Sequence, residues 1–146
     1  MPTYTVHAPA GRLTDAHKKR VASEITRVHN QETGAQTFFA QVLFVEVPAG
    51  GWFVGGAPLV GEQIFVHGQI RAGRSADVKK KLLSRLLDAV SEAASFNKNL
   101  TWGYIVELPP SQMAEYGHIL HEPGTEAQWL AALPEADKAL MESTGK

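Results

Sequence analysis

Ala10 opens the stretch AGRLTDAHKKRV, and a related stretch, AGRSADVKKKL, opens at Ala72. Further along, VEVP ending at Pro48 is matched by VELP ending at Pro109. The first pair is offset by 62 residues and the second by 61. That period is too long for a solenoid unit. It suits two β-α-β units, each relying on the other to complete a common sheet beneath its helix. The expected fold class is therefore α+β, with pseudo-repeats at 2–48 and 63–109. They would form a mixed four-stranded sheet with two helices on one face. A C-terminal helical extension, 110–146, would complete a single domain.

Local patterns agree with that division. From Pro2 to Ala8 the chain alternates Tyr4, Val6 and Ala8 with polar residues, the period of a half-buried strand. Thr14 or Asp15 caps a helix carrying Val21, Ile25 and Val28 at helical spacing, and Gly34 stops it. Phe39 to Val47 is dense in β-branched and aromatic residues and reads as a buried strand. The glycine-rich PAGGWFVGGAPLVGE then reads as a loop with a short hairpin. It lacks the Lys-Ser/Thr step of a phosphate loop and the spacing of a dinucleotide fingerprint. In the second unit, Ile64 to Ile70 is a strand, and Ser75 caps a helix with Val78, Leu82, Leu86, Leu87 and Val90. Leu100 to Leu108 is the last strand. Beyond Pro110, helices are expected around Met113 to Leu120, from Thr125 to Leu133 and from Glu135 to Glu142.

Composition narrows the function classes. A net charge of −1 provides no bulk field for nucleic acid or anionic lipid. The chain has no cysteine, which removes disulfides, thiolate nucleophiles and zinc ribbons together. No signal-peptide or membrane-spanning pattern is present, so a cytoplasmic protein is expected. His118 and His121 have helical metal-ligand spacing but no evident third ligand, so solvent-facing histidines and no metal site are expected. Ser75 follows Gly73-Arg74 at a strand-to-helix turn, but the final glycine of a nucleophile elbow is missing.

Proline directly after the initiator methionine is the feature with the most chemical consequence. A small second residue favours removal of Met1, leaving a secondary amine at the mouth of the first strand. In this setting the sequence resembles the tautomerase superfamily, and within it the cis-3-chloroacrylic acid dehalogenase group. The resemblance rests on Pro2; ITRVHNQETGAQTF around His29; IFVHGQIRAGRSAD with Arg71 and Arg74; WGYIVELP with Tyr104; and QMAEYGHILHEPG with Glu115. It implies these six as the catalytic set, no cofactor, a small carboxylate substrate and a homotrimer packed around a three-fold axis. Ala35, Thr37 and Phe39, and the loop from Ala49 to Gly61, depart from the group's pattern, and they are expected to line the pocket.

The residue types suit those roles. An α-amino group ordinarily titrates at about 7.7–8.0 and can serve as acid or base near neutrality. Arg71 and Arg74 sit at a strand end and a helix start, where positive side chains oppose the helix dipole. Two forked guanidiniums there make a carboxylate site, with His29 as a further donor. Glu115 and Tyr104 make a water-activating pair. Three readings remain open at this point. In one, protonated Pro2 supports hydrolytic dehalogenation of cis-3-chloroacrylate to malonate semialdehyde. In the second, neutral Pro2 supports keto–enol tautomerisation of a 2-hydroxydienoate or phenylpyruvate, or the site hydrates and decarboxylates acetylenic acids. The third is a non-catalytic, cytokine-like binding protein.

Overall fold

The computed structural model describes residues 2–146; the expected loss of Met1 therefore lies outside the described residues. Strand β1 (Pro2–Pro9) leads to helix α1 (Asp15–Thr33) and strand β2 (Gln41–Val47). A small hairpin, β3 (Phe53–Val54) and β4 (Ala57–Pro58), precedes the second unit. That unit comprises β5 (Ile64–Arg71), α2 (Ala76–Ala93) and β6 (Thr101–Leu108). A second hairpin, β7 (Ala114–Glu115) and β8 (His118–Ile119), is followed by α3 (Glu126–Ala132) and α4 (Glu135–Ser143).

The main sheet has the order β2-β1-β5-β6. Within each unit the strands are parallel, and β1 meets β5 antiparallel where the units join. The repeat thus becomes a mixed sheet, as its spacing implies. Tyr4, Val6 and Ala8 of β1 and Ile64, Val66 and Ile70 of β5 are buried on the helix-bearing face. Val21, Ile25 and Val28 of α1 and Leu82, Leu86 and Val90 of α2 pack over them. Burial of each such side chain contributes roughly 1.5–3 kcal/mol. Thr14 caps α1 by accepting from the His17 amide, and Gly34 closes it at φ 71°. Ser75 caps α2 by accepting from the Val78 amide.

The opposite face carries Leu43, Val45, Trp102, Tyr104 and Val106, all exposed in the single chain. Two expectations need correcting. The stretch from Met113 to Leu120 is a hairpin and not a helix: Tyr116 and Gly117 have φ of 52° and 82°. Two successive positive φ values reverse a strand pair but cannot continue a right-handed helix. Phe39 lies in a 3-10 turn, Thr37–Phe39, so β2 begins at Gln41. The turn aims Phe39 into a small cluster with Leu120, packed by Phe38, Met113, Tyr116 and Trp129. No helix among the described residues is long and apolar enough to cross a membrane.

Candidate active site

Strand register decides what surrounds the start of β1. Pro2 is buried and lies opposite Ile70, so the next residue of β5, Arg71, stands beside the chain's first described residue. Arg71 ends the strand, and Arg74 follows in the turn to α2. Both line one cavity of about 340 Å³, with Ala35, Phe38, Phe39 and Trp129 among its walls.

The two guanidiniums differ in their surroundings. Arg71 is buried; its Nη2 donates to Glu126 Oε1 at 2.8 Å, and its Nη1 lies 2.8 Å from His121 Nδ1. Arg74 donates from Nη1 to the Arg71 carbonyl at 2.8 Å. Among the described residues it forms no ion pair, and its buried Nε, like that of Arg71, has no hydrogen-bond partner. Burial, reinforced by the Arg71 charge, lowers its proton affinity. A desolvated cation in this position gains from an anion entering the cavity.

His29, on the last turns of α1, is buried with Nδ1 2.8 Å from the Tyr4 hydroxyl. Burial, with Arg74 nearby, pushes its pKa down to about 3. Burial also raises the Tyr4 phenol well above its usual range, against the opposing pull of Arg74. A neutral imidazole is the better acceptor of the two groups, so the phenol donates to Nδ1 and the ring proton resides on Nε2. That Nε2 is buried without a hydrogen-bond partner among the described residues. His29 is therefore a donor held close to Arg74 and not a cation, which narrows the sequence expectation.

Glu115 and Tyr104 are placed apart within one chain. Glu115 lies on β7 and lines a cavity of about 460 Å³ with Thr3, Gln41, Gln69 and Tyr116. Phe39 borders both this cavity and the arginine cavity. Tyr104 stands on the open face of β6, its ring 5.0 Å from that of Phe65, in a third cavity with His7, Trp52 and Phe53. The expected Tyr104–Glu115 pair is thus not assembled by the single chain. Ala35 and Phe39 do line the arginine cavity.

Sequence reasoning missed His121 and Glu126, which touch Arg71. Neither expected solvent-facing histidine is free: His118 Nε2 meets Asp137 at 2.8 Å, and His121 is buried against Arg71. No local pattern ties residues 121 and 126 to residue 71. A hint lay only in the Thr125-Glu126 helix start, which brings an acidic residue into a first turn. Among the described residues no group of three or more His, Asp or Glu side chains could hold a metal.

Two fused β-α-β units with paired arginines beside the start of the first strand define a tautomerase-type scaffold. The family model Tautomerase_3, described as "Putative oxalocrotonate tautomerase enzyme", matches residues 1–132. The crystal structure of N1, a member of the cis-3-chloroacrylic acid dehalogenase family, is 31% identical with a TM-score of 0.92. That match covers 96% of this chain and 98% of the other. The native protein Ps01740 is 29% identical, with a TM-score of 0.72 over 77% of this chain and 99% of its own. A fused 4-OT, solved as a symmetric trimer, is 21% identical and shares the fold, with a TM-score of 0.73 over 81% and 94% of the two chains. No curated protein sequence matches the chain significantly. The chain belongs to the tautomerase superfamily, in its cis-3-chloroacrylic acid dehalogenase group.

Proposed function

We propose that this chain is a cofactor-free enzyme whose catalytic group is the secondary amine of Pro2, freed by removal of Met1. Its substrate would be a short unsaturated carboxylic acid. The observation that supports this reading is the register of β1 on β5, which pairs Pro2 with Ile70, the residue before Arg71, while Arg71 and Arg74 line one cavity.

In the hydration reaction Arg74, with the Arg71 charge behind it and the His29 Nε2 proton, binds the carboxylate and draws electron density from the double bond. Glu115, assisted by Tyr104, takes a proton from water as its oxygen attacks C3. Protonated Pro2 delivers a proton to C2. With a halogen on C3, the resulting halohydrin loses halide and a proton to give malonate semialdehyde. Because Tyr104 and Glu115 line different cavities of one chain, their cooperation requires a neighbouring subunit. A homotrimer, the assembly of the fused 4-OT relative, would bury the open sheet face and bring copies together.

A second reading has specific support. Glu115 lines a different cavity from the two arginines, and keto–enol tautomerisation needs only the neutral amine as base and a cation for the carboxylate. Decarboxylation of an acetylenic acid hydration product would use the same groups. Mass spectrometry of the untagged protein, followed by a substrate panel of 3-halo and acetylenic three-carbon acids and enols, separates these readings. We expect a chain beginning at Pro2, with turnover lost in Pro2→Ala. Hydration should require protonated Pro2 and fall as pH rises, whereas tautomerisation should rise with pH. A chain that retains Met1 yet turns over at full rate would remove the amine from the chemistry.

A further inference from the structure

The arginine cavity already contains a carboxylate. Glu126, the first residue of α3, reaches Arg71 Nη2 at 2.8 Å and lines the same cavity as both guanidiniums. His121 occupies the other terminal nitrogen of Arg71, with Nδ1 at 2.8 Å and its carbonyl at 3.3 Å from Nη1. Arg71 thus has a partner at each terminal nitrogen, with its Nε left unpartnered, and its charge is balanced by a carboxylate. Arg74 feels the charges of Glu107 and Glu126 but forms no ion pair among the described residues, so its guanidinium remains for an incoming anion.

The space itself does not limit the charge of that anion. At about 340 Å³ the cavity has room for a second carboxyl group beside the first. What opposes a second one is Glu126, whose side chain is 49% exposed while that of Arg71 is 6% exposed. The carboxylate therefore covers the buried cation from the solvent side. A substrate carboxylate reaching for Arg71 would meet this like charge at close range and compete with it for the same guanidinium nitrogen.

We propose that Glu126 is a specificity-determining residue that restricts the pocket to monocarboxylates. Arg74 takes the single substrate carboxylate, and the Glu126–Arg71 pair denies the fork that a dicarboxylate would need for its second group. This rests on the reading of the cavity as a carboxylate site.

Calorimetric binding of butanoate and succinate at about pH 8, above the ordinary imidazole range, tests it without any turnover. Wild type should bind butanoate more tightly than succinate. Glu126→Gln should shift the ratio toward succinate by roughly tenfold or more. Glu126→Asp, which keeps the charge, should retain the preference for butanoate. Equal affinity of wild type for the two ligands overturns the proposal whether or not the variants fold. So does an unchanged ratio in Glu126→Gln. Parallel weakening of both ligands would also overturn it, making Glu126 only a support for Arg71. If wild type binds neither ligand, the carboxylate site itself is refuted, which is a separable result.

Discussion

His29 couples the chemistry of the site to the stability of the fold. It is neutral when buried, with a pKa near 3, against about 6.5 in an unfolded chain. Between those values the unfolded state binds the extra proton, so the stabilisation is present in full above about pH 6.5 and is lost as pH falls toward 3. The full window is worth on the order of 5 kcal/mol. The stability difference between wild type and His29→Gln, from urea melts, should therefore shrink on acidification through this range. A difference independent of pH would mean that the imidazole is not held neutral. Arg71 and Arg74 should also separate experimentally. Arg74 has no carboxylate partner among the described residues, so Arg74→Ala should cost roughly 2–5 kcal/mol in kcat/KM with little change in Tm. Arg71→Ala removes a buried group held by His121 and Glu126 and should lower Tm as well as activity. Equal Tm for the two variants would contradict the difference in their surroundings.

At the scale of elements, the central join of the two units depends on one close approach. A Cβ at Gly68 of β5 would lie 2.5 Å from the Tyr4 ring, which is fully buried and hydrogen-bonded to His29. Gly68→Ala must therefore displace Tyr4 and should cost roughly 1–3 kcal/mol, read as a lowered Tm. The variant melting with wild type would show that the ring can move freely. The paired units themselves were legible in the sequence because strand and helix periods bury side chains locally: Val21, Ile25 and Val28 lie on the core-facing side of α1 as their spacing implies. The caps at Thr14 and Ser75 were legible for the same reason, each being a contact within three residues. The hairpin around Tyr116-Gly117 was not. Its strands have two residues each, too short to show alternation, and tyrosine does not announce a positive φ. The site divides in the same way. Arg71 and Arg74 are set by one strand end, whereas Glu126 reaches Arg71 across 55 residues and leaves no local pattern.

At the scale of the molecule, the unpartnered sheet face and the separation of Tyr104 from Glu115 have a common explanation in assembly. Leu43, Val45, Trp102 and Val106 are each more than 40% exposed on the face away from the helices. Trp102 and Val106 flank Tyr104 on β6, while Leu43 and Val45 lie on β2 at the other edge of the sheet, and exposed apolar residues along both edges of one face ordinarily mark an interface. If copies pack through this face, association supplies apolar burial and also sets Tyr104 against a neighbouring subunit. A charge placed on this face, as in Val106→Lys, removes the first effect without touching Pro2, Arg74 or Glu115. The variant should sediment as a smaller species than wild type. The two proposed activities should then respond differently. Hydration needs Tyr104 beside a Glu115 from another copy and should fall steeply, recovering with protein concentration as subunits reassociate. Tautomerisation needs only groups that one chain brings together and should survive in the dissociated form. Hydration at full rate in a monomeric variant would show that Tyr104 has no part in activating water.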